Sequence, residues 1–163
     1  MLAVVKRDGM IRGLLISFVD GENLEKAMIV SETDRFAVTY QIISVAVGLE
    51  KVGFYHSDLQ CRNIVRQQSD GAIYFIDFGG GITHGFYPKE SEYELLLEEI
   101  SPKDAIYILG KALWQFWTCP CGVPAEEQLD SIPERARNLI HKCCIAPKFN
   151  SMAELQKAWC RDT

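Results

Sequence analysis

Two features of the chain predict an α+β fold: short strand-like segments occupy its start and its middle, and capped helices fill the rest. At 163 residues, with no internal repeat, low-complexity tract or linker, residues 1–163 read as a single domain able to bury a core.

LAVVKRDG followed by MIRGLLISFVDG predicts two short strands joined at Asp8-Gly9, with Gly21 closing the second. ENLEKAMI then predicts a short helix. The strongest helical signal is SETDRFAVTYQIISVAVGLEKVG. Ser31 and Asp34 mark its start, Phe36, Tyr40, Ile43 and Val47 recur along one face, and Gly53 marks its stop. NIVRQQ, SDG and AIYFIDF predict a β-hairpin turning at Asp70-Gly71. Gly79, Gly80, Gly81 and Gly85 make the following segment a loop. SPKDAIYILGKALWQFW opens with Ser101 as N-cap, Pro102 at the first helical position and Asp104 at the third. Ile106, Leu109, Leu113, Trp114 and Trp117 make that helix largely buried. PERARNLIHKCC and SMAELQKAW predict two more helices, the second with Ser151 and Glu154 as a capping box.

Composition excludes some function classes. Hydrophobic residues at 48% and charged residues at 24% are ordinary for a globular protein. A net charge of −5 offers no basic field to nucleic acid or an anionic membrane. No segment approaches the roughly 20 apolar residues of a membrane span, and MLAVVKRDG is too short and too charged for a signal peptide. Six cysteines in that setting predict a cytoplasmic protein with reduced thiols. The spacings of Cys119, Cys121, Cys143 and Cys144 do not match a zinc knuckle.

The chemistry concentrates between residues 56 and 79. Asp58 and Asn63 fall in the loop between a helix and a strand, and Asp77 ends the second hairpin strand. A hairpin sets the end of its second strand beside the start of its first, so Asp77 is expected to approach Asn63. A carboxylate and an amide oxygen are hard ligands that suit Mg²⁺. Asp58 is then placed to orient or deprotonate an attacking hydroxyl. Metal-assisted phosphoryl transfer is the chemistry that uses such a set.

HSDLQCRN, a hairpin and IDFG, in that order, resemble the catalytic loop H-R-D-L-x₃-N and D-F-G of the protein-kinase-like superfamily. The resemblance is to the C-terminal catalytic lobe in a compact form, such as the abbreviated kinase-like proteins of fungi. It implies Asp58 as catalytic base, Arg62 near the transferred phosphate or in a surface salt bridge, and Asn63 and Asp77 as Mg²⁺ ligands. His56, Phe78 and Gly79 would support the site from beneath. RGLLISFVDG resembles the last N-lobe strand and hinge, so Ile16, Ser17, Phe18 and Val19 would meet the adenine of ATP, with Val65 as its floor. SPKDAIYILGKALWQF resembles the central buried helix, in which Asp104 would brace the catalytic-loop backbone. By the same match residues 1–20 are residual N-lobe strands and hinge, and residues 21–163 are the C-lobe.

The departures matter equally. The sequence has no G-x-G-x-x-G and no V-A-I-K, and Lys6 and Lys26 do not substitute by position. Ser57 replaces the arginine of H-R-D, and KFNS stands where the partner of an A-P-E glutamate is expected. Pro88-Lys89-Glu90 is the nearest match to A-P-E. Two functions are therefore expected in competition. One is an ATP- and Mg²⁺-dependent phosphotransferase acting on a protein or small-molecule hydroxyl. The other is a catalytically inactive, pseudokinase-type interaction module. In either case a protein partner or a second copy would cover the exposed N-terminal strands.

Overall fold

The computed structural model describes residues 17–78 and 101–161, together with the backbone of 3–7, 10–15 and 82–83. Its architecture is α+β. Strands β1 (Ala3–Arg7) and β2 (Met10–Leu15) pair antiparallel, with Ala3 opposite Leu15 and a register shift between Val5 and Lys6. The expected turn at Asp8-Gly9 lies outside the described residues.

Gly21 does not close β2. It opens a separate strand, β3 (Gly21–Asn23), which pairs antiparallel with β5 (Ile64–Gln67). A Cβ on Gly21 would sit 2.2 Å from the Arg66 carbonyl oxygen, so the two backbones approach where only glycine fits. The short helix expected over ENLEKAMI is absent. Glu22 and Asn23 are in the ladder, and the Leu24 N–H donates to the carbonyls of Cys61 and Ile64. A single turn closes on the Asn23 carbonyl, which accepts from Lys26 and Ala27. Sheet pairing outcompetes a helix too short to nucleate alone.

Helix α1 (Glu32–Lys51) starts at Ser31, whose side chain accepts from the Asp34 N–H. It buries Val38, Thr39, Ile42, Ile43, Ala46 and Val47. Tyr40, expected on the buried stripe, is 46% exposed. The buried stripe is rotated because α1 packs on several elements, among them β6 (Ile73–Phe75), α2 (Pro102–Thr118) and α4 (Met152–Arg161). The β5–β6 hairpin turns at Asp70-Gly71 as expected, with Ile64 opposite Phe75. The pair β4 (Phe54–Tyr55) and β7 (Ile82–Thr83) was not foreseen.

The predicted N-cap of α2 is present and is completed as a capping box: Ser101 Oγ accepts from the Asp104 N–H, and the Asp104 carboxylate accepts from Ser101. Ile106, Leu109, Leu113, Trp114 and Trp117 are all buried. Helix α3 (Glu134–Ile140) runs into a π turn over His141–Ile145. Gly110 of α2 meets that turn so closely that a Cβ would lie 2.4 Å from the Cys143 Cβ. Helix α4 is capped by Ser151 Oγ, while Glu154 reaches back to the Asn150 N–H instead of Ser151. Among the described residues no helix is long and apolar enough to cross a membrane.

Candidate functional site

The loop from His56 to Asn63 leaves β4 and enters β5. Its first anchor is His56, which is buried. The Asp58 N–H donates to His56 Nδ1 at 3.3 Å, so that nitrogen must be the acceptor. His56 Nε2 then carries the proton and donates to the Ile76 carbonyl at 2.9 Å. One imidazole thus joins the 56–63 loop to the residue before Asp77. Its ring lies against Phe78 with centroids 5.0 Å apart, and Phe78 meets Phe54 edge-on at 5.4 Å. The expected packing of His56 with Phe78 is therefore present.

Asn63 is 4% exposed and its side chain is directed back into the loop. Nδ2 donates to the Asp58 carbonyl at 2.7 Å and to Asp58 Oδ2 at 3.3 Å. That use of Nδ2 leaves Oδ1 as the acceptor of the side chain. The Ile76 N–H donates to the Asn63 carbonyl at 2.9 Å, continuing the hairpin ladder by one pair. Asp77 is the next residue after Ile76 in the chain. Asp77 has φ +60°, an uncommon conformation for a residue other than glycine and one that asparagine and aspartate tolerate best. Its carboxylate is exposed and makes no side-chain hydrogen bond among the described residues. An amide oxygen and a carboxylate at the base of one hairpin fit the donor chemistry of a hard cation such as Mg²⁺. Among the described residues no group of three or more His, Cys, Asp or Glu side chains is arranged for a metal ion.

Asp58 is exposed and crowded by its own loop. Oδ2 accepts from Arg62 and from Asn63, each at 3.3 Å, and Oδ1 accepts from Gln60 Nε2. Of the two roles weighed for Arg62, the structure contains the ion pair. It is half-exposed and so adds little to stability. Gln60 was not foreseen as part of the site; its two-residue distance from Asp58 was the available signal.

Asp104 does not brace this loop. Its carboxylate is held by Ser101 in the helix cap, and those bonds keep it below the ordinary aspartate range. The brace comes from Gln115 on α2. Cys61 is fully buried, and its N–H donates to Gln115 Oε1 at 2.9 Å. Cys61 Sγ lies 3.8 Å from the Ala112 carbonyl, and burial pushes its thiol up to about 12. This cysteine packs the loop against α2 and is no nucleophile. Nothing in the sequence marked Gln115.

No protein-family model matches the chain, and no curated protein matches it in sequence.

On the expected adenine side, Val65 is buried, yet it faces away from the core that Ile64 and Phe75 enter. Its cross-strand neighbours are Asn23 and Tyr74. Asn23 Oδ1 is buried with no hydrogen-bond partner, an unsatisfied acceptor beside Val65 that the sequence reading missed. Ser17 and Phe18 are exposed, Phe18 at 88%, and Val19 is half-buried. The Gln68 N–H donates to the Asp20 carbonyl, so this stretch enters the sheet at the turn end of the hairpin. The ladder sets Asn23, and not residues 17–19, directly opposite Val65. Ile16, Gly79 and residues 88–90 lie outside the described residues. No disulfide joins the cysteines.

Proposed function

We propose that the chain is a protein-kinase-like phosphotransferase unit using ATP and Mg²⁺, with a protein or small-molecule hydroxyl as acceptor. The observation that carries this reading is the Ile76–Asn63 hydrogen bond, which sets the residue before Asp77 against Asn63, with Asp58 bonded to the same asparagine. In this reading Asp58 orients the acceptor hydroxyl and takes its proton. Arg62, released from Asp58, would face the transferred phosphoryl group, while Asn63 and Asp77 would hold Mg²⁺. The bound ion would neutralise charge on the phosphate oxygens. His56 and Phe78 keep the two halves in register, and adenine would rest on Val65, opposite which the ladder sets Asn23 and not residues 17–19. Reduced thiols support a cytoplasmic setting.

A second reading is the catalytically inactive, pseudokinase-type interaction module. Two observations favour it. Both carboxylate oxygens of Asp58 already accept hydrogen bonds from their own loop. The sequence also contains neither G-x-G-x-x-G nor V-A-I-K to grip phosphates from above. In both readings a protein partner or a second copy covers the N-terminal strands.

The deciding experiment incubates the purified chain with radiolabelled ATP·Mg²⁺ and generic protein and small-molecule acceptors, alongside Asp58→Asn. Transfer that the variant lacks supports the phosphotransferase. Absence of transfer together with no thermal shift on adding Mg²⁺-nucleotide sinks it and leaves the interaction module.

A further inference from the structure

We infer that Gln115 is a positioning residue for the 56–63 loop and ties its geometry to the turn at Cys119–Gly122. The inference deepens the proposed phosphotransferase reading and rests on it for its catalytic consequence. Cys61 opens the short 3₁₀ turn Cys61–Asn63, midway between Asp58 and the hairpin. Its residue is fully buried, so water cannot serve its N–H. Gln115 Oε1 is the acceptor, at 2.9 Å.

The other end of the same amide points elsewhere. Gln115 Nε2 donates to the Gly122 carbonyl at 3.2 Å. Gly122 in turn donates to the Cys119 carbonyl, and the Cys119 N–H donates to the Gln115 carbonyl, each at 3.0 Å. A closed set of hydrogen bonds therefore runs from the end of α2, through the turn, back to the Gln115 side chain and on to Cys61. The neighbouring Gln60 carbonyl accepts the Asn63 N–H at 2.8 Å, and Asn63 grips Asp58. A shift at Cys61 is thus passed to the amide oxygen and the carboxylate that the proposed reaction needs, although Gln115 touches neither.

Two substitutions separate the halves of this link. Gln115→Met removes both hydrogen bonds while keeping the side chain's length, and Gln115→Glu keeps the acceptor toward Cys61 but loses the donor toward Gly122. Native-state hydrogen exchange on the full chain reads the Cys61 amide against the core amides of Leu109 and Leu113. In Gln115→Met the Cys61 amide is expected to exchange about tenfold faster with those core amides unchanged. Phosphoryl transfer in that variant should show kcat down about tenfold with KM for ATP nearly constant, as expected when orientation and not binding is lost. Gln115→Glu should recover most of the Cys61 protection, whereas losing the donor to the Gly122 carbonyl should leave kcat between wild type and Gln115→Met. Unchanged Cys61 exchange in Gln115→Met, or a Gln115→Glu variant no better than Gln115→Met, overturns the inference. A wild-type chain that transfers no phosphate sinks the phosphotransferase reading, while Cys61 exchange still decides the link to Gln115. Should Gln115→Met fail to fold, Gln115→Asn, one methylene too short to reach Cys61, takes its place.

Discussion

Asp58 is held by three donors from its own loop, Gln60, Arg62 and Asn63. Under the phosphotransferase reading, Asp58→Asn should lower transfer by about 10²–10⁴-fold. Because the side chain is exposed, its thermal midpoint should stay close to wild type. Gln60→Ala frees Oδ1 and should raise transfer or leave it unchanged; a fall of tenfold or more would make Gln60 itself part of the reaction. Deeper in the fold, Trp117 Nε1 donates to the fully buried Thr39 Oγ1 at 3.0 Å. Thr39→Val keeps the volume but leaves the indole N–H without an acceptor, so urea unfolding should register a loss of about 1–3 kcal/mol. The burial that makes Cys61 inert also has a pH signature. Its thiol is raised from 9.0 to about 12 in the folded chain. The folded state therefore keeps a proton that the unfolded chain releases. That contribution is complete below pH 9 and is lost as pH rises toward 12, so unfolding midpoints should decline over this window, and less steeply in Cys61→Ala.

Elements were legible where local chemistry dictates them and illegible where a distant partner does. The caps at Ser31, Ser101 and Ser151 and the turn at Asp70-Gly71 needed no tertiary knowledge, because each closes hydrogen bonds within four residues. ENLEKAMI misled because its helical composition competes with a ladder to residues more than forty positions away. Gln115 was invisible for the same reason, being 54 residues from the N–H it serves. Asp104 misled in the opposite direction: a role assigned by resemblance was displaced by the nearer Ser101. By contrast, the neighbourhood of Asn63 and Ile76 was readable because the hairpin they flank was legible in the sequence. The start of α4 rests on another long-range contact, since the Met152 N–H donates to both carboxylate oxygens of Glu50 at 3.0 and 3.1 Å. Those charge-assisted bonds also place negative charge at the helix N-terminus. Glu50→Ala should cost about 1–3 kcal/mol in urea unfolding, with Glu50→Gln recovering part of it.

At the scale of the whole molecule, nucleotide binding is the most direct measurement. Under the phosphotransferase reading, Mg²⁺-ATP at 100 times its Kd should stabilise the chain by about 2.7 kcal/mol, and Asp77→Ala should abolish the shift. Purely structural roles for Asn63 and Asp77 would give no shift in either protein. The helical core behind the loop offers a separate channel of observation. Trp114, Trp117 and Trp159 are all buried, and Phe36 lies between the last two with ring centroids 5.2 and 5.6 Å away. Arg135 stacks on Trp159 with its guanidinium carbon 4.1 Å from the ring centroid. Every indole in the chain therefore emits from among the docked helices, and none lies in the 56–63 loop. Intrinsic fluorescence should follow the melting of the helical core and stay quiet while the loop rearranges, so one cuvette can distinguish a protein that has lost its site from one that has lost its fold.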